Sequence, residues 1–351
     1  PIVYAAALDN GYTPATIVND AVITIDQGNG QAPWKPDNYD KQVHGPQPLR
    51  IGIEKSRNLM TVRLAQDIGM PIVSEYARRF GVYDDLPPLL SMALGAGETT
   101  LLRLTTAYSM FVNGGKKIDY TFIDRIQDRL GQTVWRHDTR KCDGCAVDAW
   151  RGQEEPQIVD PMTAYQITSM LEGVVVHGTG FMVWKKVGKP LGGKTGTTNE
   201  EKDAWFIGFS PDMAMGVFVG YDNPQPMGHG ETGGELAAPI FADFFKVALK
   251  DKPAIPFRMP PDIRQVRINK RTGQRADPSD PDSIIEYFKP GTEPGDGSGE
   301  YQEAQPREPG ANGWGSSSTA QGWTASAPPP GPGGAVYQPP YGGEPRAGGL
   351  Y

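Results

Sequence analysis

Apolar residues in "PLRIGIEKSRNLMTVRLAQDIGM" recur at helical spacing on both sides of a polar knot, Glu54 to Asn58. This pattern predicts two helices joined by a short loop. The opening "PIVYAAALDNG" reads as the inside of a helix, with Pro1 in its first turn and Asn10-Gly11 as its stop. "TTLLRLTTAYSMFVNGG" predicts a helix with threonine caps in front and Asn113-Gly114 behind. "YTFIDRIQDRLGQTVWRH" alternates and turns at Leu130-Gly131, which predicts a hairpin. "DPMTAYQITSMLEGVVVHGTG" predicts a helix capped by Asp160, with Pro161 in the first position. Three strand-like runs follow closely, "GGKTGTT", "AWFIGFSP" and "MAMGVFVGYDN", and "GELAAPIFADFFKVALK" closes the body as an amphipathic helix. Successive strands between blocks of helix predict an α/β body of the α+β type, an antiparallel sheet covered by helices.

Composition divides the chain into three parts. Residues 1–254 carry the mixed body, and residues 255–289 read as an ordered or half-ordered extension. Residues 290–351 hold one Val, one Leu and no Ile, Met or Phe. A Pro/Gly-rich segment of that kind buries too little apolar area to offset its ordering entropy, so disorder is expected there. Trp314, Trp323 and Tyr341 are candidate docking residues within an otherwise inert linker. The net charge of −7 argues against a nucleic-acid partner. No apolar run reaches the length of about 18 residues that a membrane span needs. A chain that opens inside a helix is expected to be a piece of a longer protein, so localisation has to come from other evidence. Cys142 and Cys145 in "RKCDGCAVDAW" fit a disulfide or a bland thiol pair in an exposed loop. Adding His137 gives only three candidate ligands, so neither a metal nor any other cofactor is expected.

The chemistry centres on Lys194 in "GKPLGGKTGTTNEEKDAWFIGF". Gly188 to Thr195 fits the phosphate-binding pattern G-x-x-x-x-G-K-[ST], with "FMVWKKV" as the preceding strand. That reading needs a helix to begin at the lysine. Gly196 and two β-branched threonines, Thr197 and Thr198, favour a strand instead. "GHGETG" fits a dinucleotide pattern literally, but no strand leads directly into it. A strand through Lys-Thr-Gly-Thr puts Lys194 and Gly196 on one face and Thr195 and Thr197 on the other. The glycine then leaves room for a backbone or a substrate to come close. Ser56-Arg57-Asn58 stands earlier as S-x-N, inside the interhelical loop. S-x-x-K, S-D-N and K-T-G together mark the penicillin-recognising serine enzymes.

"GIEKSRNLMTVRLAQDIGM", "LGAGETTLLRLTTAYSMFVNGG", "VVVHGTG", "GGKTGTTNEEKDAWFIGFSPDMAMGVFVGYDN" and "GGELAAPIFADFF" resemble the transpeptidase domain of bacterial class A penicillin-binding proteins. The likeness runs from residue 1 to about residue 250 and continues weakly to residue 289. It implies a penicillin-binding protein/serine β-lactamase-like fold and D,D-transpeptidase chemistry on peptidoglycan stem peptides ending in D-Ala-D-Ala, with β-lactams as inhibitors. It further implies a site on the periplasmic face of the inner membrane, with a glycosyltransferase domain and anchor upstream. One departure stands out: no S-x-x-K occurs in the chain. The resemblance puts that motif, and hence the nucleophile and its lysine, immediately before Pro1. By the same resemblance Ser56 and Lys194 form the proton path to the leaving amine, and Asn58 holds the substrate amide. The hydroxyls of Thr195 and Thr197, with Lys194, bind the terminal carboxylate, Gly196 and Thr198 complete the substrate-binding strand, and the N–H of Thr197 is an oxyanion donor. Two other readings stay open: a non-catalytic structural or partner-binding piece, and a β-lactamase-like hydrolase.

Overall fold

The computed structural model describes residues 1–28, 30, 32–137 and 155–295. These lie in one compact unit that extends from Pro1 to Pro306. The expectations about Cys142, Cys145, Trp314, Trp323 and Tyr341, and about most of the tail, fall outside the described residues.

Helix α1 (Ile2–Asp9) is buried along nearly its whole length and forms the middle of the helical core. A small antiparallel pair, β1 (Ile17–Asp20) with β2 (Gly45–Pro48), leads into α2 (Leu49–Glu54). Helices α3 (Asn58–Ile68) and α4 (Met70–Arg79) follow, broken apart by Gly69 at φ 86°. α5 (Leu101–Val112) begins as expected, with the Thr100 hydroxyl accepting the N–H of Arg103. β3 (Arg125–Gln127) and β4 (Thr133–Arg136) form the expected hairpin, turning at Leu130-Gly131. α6 (Pro161–Val176) is capped by Asp160, whose carboxylate accepts the N–H groups of Met162 and Thr163.

The next segment removes the strand that the phosphate-loop alternative would need: "FMVWKKV" is helix α7 (Phe181–Val187). Val183 alone is fully buried there, Lys185 and Lys186 sit at the electronegative end, and Gly188 stops the helix in the left-handed conformation. Apolar content without alternation leaves helix and strand undecided at such a point.

Strands β5 (Gly192–Thr197), β6 (Asp203–Ser210) and β7 (Met213–Gly220) form an antiparallel sheet in the order β5-β6-β7, so β5 is an outer strand. The period of two sorts the side chains of β6. Trp205, Ile207 and Phe209 join the core built from α1 to α6. Phe206 packs on the other side with Phe241 of α8 (Ala238–Ala248), their ring centroids 4.7 Å apart. An antiparallel sheet covered by helices on both faces is therefore the fold. Beyond α8, strands β8 (Arg264–Asn269) and β9 (Ser283–Phe288) make a hairpin that rests on α6 and on Ala15.

Candidate active site

Two walls face each other across a cleft. The first is the loop between α2 and α3. The N–H of Arg57 bonds to the carbonyl of Gly52, and that of Ser56 to the carbonyl of Ile53. This is the bond pattern of a Schellman turn, which asks for a left-handed residue just past the helix end. Glycine usually fills that position, but here it is Ser56, at φ 55°. A non-glycine residue there costs about 1–2 kcal/mol, and such strain gathers at functional sites. Its effect is to lift the Ser56 hydroxyl off the helix end into the cleft.

The second wall is β5. The Lys194 ammonium donates to the Ser56 hydroxyl at 2.7 Å and to the carbonyl of Thr195 at 3.0 Å. Lys194 is half-buried, and burial draws its pKa down from 10.5 to about 8. Near neutral pH the group is still mostly charged. Pro1, at the head of α1, lies near enough to feel the charge of Lys194. Ser56, Lys194 and the head of α1 therefore converge.

The remaining residues singled out by sequence divide into two sets. The Thr195 hydroxyl bonds to that of Thr179 at 2.8 Å, with the two facing the cleft side by side. The Thr197 hydroxyl accepts the N–H of Gly233 at 3.1 Å. Gly196 has its main chain so close to Gly233 that a Cβ on Gly233 would run into the carbonyls of Gly196 and Trp205. Thr198 is used locally: its hydroxyl accepts the N–H of Asp203 at 2.8 Å and closes the β5–β6 connection. The amide of Asn58 donates to the carbonyl of Asp37 at 2.8 Å, so the loop before β2 already holds it. The same loop crosses to the opposite wall, where the Tyr39 hydroxyl meets Glu201 at 3.1 Å.

Sequence reasoning missed Thr179 as an individual residue, although it lies within the stretch "VVVHGTG". Its N–H bonds to the carbonyl of Glu54, and the Lys55 ammonium donates to the carbonyl of His177. The small residues around it let this loop run between the two walls and tie them together. The phosphate-loop alternative fails on geometry. Lys194 sits inside an antiparallel strand, and the chain passes through a single tight turn at Asn199–Glu201 into β6, so no helix begins at the lysine as that loop requires. No group of three or more His, Cys, Asp or Glu among the described residues is placed to hold a metal.

A Lys-Thr-Gly-Thr outer strand facing a Ser-x-Asn loop at a helix end, on a sheet covered by helices, is the frame of the penicillin-recognising serine acyltransferases. The family described as penicillin binding protein transpeptidase domain matches residues 1–246. The chain belongs to this family. Penicillin-binding protein 1A of Rickettsia bellii is 43% identical over 296 residues, covering 82% of this chain and 37% of the relative. The Pseudomonas aeruginosa protein of that name is 36% identical, covering 82% of this chain and 40% of its own. Among solved structures, penicillin-binding protein 1A from Haemophilus influenzae superposes with a TM-score of 0.75 at 31% identity, over 84% of this chain and 47% of that one. The chain thus spans less than half the length of each of these three relatives.

Proposed function

We propose that this chain is the D,D-transpeptidase part of a bifunctional peptidoglycan synthase, and that its serine nucleophile rides on the segment that leads into Pro1. The observation that carries this reading is the convergence of Ser56, Lys194 and Pro1 on one cleft. A helix entering α1 there delivers its last side chains beside the Ser56 hydroxyl. The nucleophile attacks the penultimate D-Ala carbonyl, and the terminal D-Ala leaves as an amine. The proton released by the nucleophile's hydroxyl reaches that amine by way of Ser56, which gives one proton to the amine and takes one in return, while the Lys194 ammonium polarises the Ser56 hydroxyl. An amine from a second stem then attacks the acyl-enzyme, so one difficult acyl transfer becomes two easier ones.

Lys194 also attracts the terminal carboxylate, with the hydroxyls of Thr195 and Thr197 beside it. Gly196 lets the peptide lie against β5 as an added strand. The N–H of Thr197 is one oxyanion donor, and β-lactams acylate the same serine. Asn58 grips the substrate amide once the Asp37 carbonyl yields its place. On this reading the domain works at the periplasmic face of the inner membrane.

The test is labelling with a fluorescent penicillin, followed by intact mass. Residues 1–351 alone should stay unlabelled, and the protein extended upstream through an S-x-x-K motif should take one adduct. A stoichiometric adduct on residues 1–351 would overturn the assignment of the nucleophile.

A further inference from the structure

The helix that presents Ser56 is fixed from an unexpected direction. Arg50, on α2, is almost wholly buried and donates to three partners. Its Nε and Nη2 grip the carboxylate of Glu286 on β9, its Nη1 meets Glu54 at 3.1 Å, and both Nη atoms reach Ser169 on α6. Burial opposes the guanidinium charge, but the two carboxylates outweigh it and hold the group firmly cationic. Glu286 is 0% exposed, and its carboxylate also accepts the N–H of Tyr287. The second carboxylate, Glu54, is the residue whose carbonyl accepts the N–H of Thr179. A Cβ on Gly173 would run into the Glu54 side chain, so α6 is shaped to let it pass. The chain of contacts therefore runs from Glu286 through Arg50 to Glu54, and from there to Ser56 on one side and Thr179 on the other.

Glu286 lies beyond residues 1–246, which match the transpeptidase family. We infer that the β8–β9 hairpin is a working part of the transpeptidase site, with Glu286 as a positioning residue that holds α2 so that the strained Ser56 meets Lys194. Two features favour this over a merely structural anchor. A buried ion pair adds little net stability against an apolar pair of the same volume, and its best-attested use is to fix a register. The hairpin has, in addition, a separate anchor away from the site: Lys289 pairs with Asp9 at 2.8 Å, at the far end of α1 from Pro1. The hairpin is thus held at Lys289 by a contact that does not touch α2.

The inference rests on the transpeptidase reading, and its test uses the protein extended upstream through the nucleophile. Limiting acylation rate and apparent penicillin affinity are measured for wild type, Glu286→Ala, Glu286→Gln and Lys289→Ala, each with its melting temperature. Glu286→Ala should lower the limiting rate about tenfold with little change in affinity, since a small misplacement of a catalytic group is costly. Glu286→Gln, which keeps the shape and an acceptor oxygen, should fall between that variant and wild type. Lys289→Ala should stay within about twofold of wild type, as expected for losing a partly exposed ion pair. Two results would overturn the inference: a folded Glu286→Ala at wild-type rate, or a Lys289→Ala as slow as Glu286→Ala at equal loss of melting temperature. If Glu286→Ala does not fold, a wild-type rate in Glu286→Gln overturns it. Absence of any adduct on wild type would instead overturn the proposed function, and this inference with it.

Discussion

The two walls of the cleft are built on opposite principles. Lys194 stands on a strand whose six residues pair in unbroken register with β6, so hydrogen bonds between neighbouring strands aim its side chain. Ser56 stands on a single left-handed residue at the end of a six-residue helix. That helix is too short to be stable alone. It is held by Arg50, whose partners are 4, 119 and 236 positions away. One wall is rigid because of local backbone pairing, the other because of a long-range side-chain network. Substitutions should therefore act differently on the two: on β5 through charge and close packing, at Ser56 through backbone strain.

The largest effect is expected from Lys194→Ala in the upstream-extended protein. It removes both the partner of Ser56 and the attraction for the carboxylate, so acylation should slow by about 10²–10³-fold, the usual scale for losing one preorganised donor. Stopped-flow acylation by a fluorescent penicillin measures this, and circular dichroism should show an intact fold. Next is Gly233→Ala. The new methyl meets the backbone of both β5 and β6, so the variant should lose about 1–3 kcal/mol by overpacking and weaken penicillin binding together with stability. Urea unfolding that shows no loss would mean that the strand wall is softer than its register suggests.

A smaller and reversible effect is expected from pH. Burial draws Lys194 down to about 8. Carboxylate attraction should fade as pH rises through that value, giving acylation a basic limb near pH 8, and Lys194→Arg should push the limb upward. Stability should move the other way. Between pH 8 and the unfolded value of 10.5, the unfolded lysine keeps a proton that the folded one has released, so stability rises with pH across that window. A limb that is unchanged in Lys194→Arg would assign it to another group.

The smallest effect tests the strain on the other wall. Ser56→Ala and Ser56→Gly both delete the hydroxyl, but only glycine relaxes at φ 55°. Ser56→Gly should be the more stable of the two by about 1 kcal/mol, with both impaired in acylation. Equal stabilities would show that the turn is unstrained and that the contrast between the walls is overdrawn.

The sequence by itself determined the elements with strong local causes. Asp160 and Thr100 cap their helices as read, the three strands follow the alternation of their side chains, and Gly196 marks a close approach of backbones. The resemblance carried by the two motifs and their order also led to the expectation that Ser56 meets Lys194, and the two side chains are in contact. The sequence left "FMVWKKV" open, where seven apolar and basic residues suit helix and strand about equally and the packing of Val183 against α8 decides for helix. Thr179, the grip of the Asp37 carbonyl on Asn58, and the Arg50–Glu286 pair came from tertiary structure alone. The reason is physical. Caps, turns and alternation are set by neighbours a few positions apart, whereas these contacts join segments whose approach depends on the packing of the whole core. Nothing in the letters around Glu286 distinguishes a buried carboxylate from a solvated one until the hairpin that carries it has closed over Arg50.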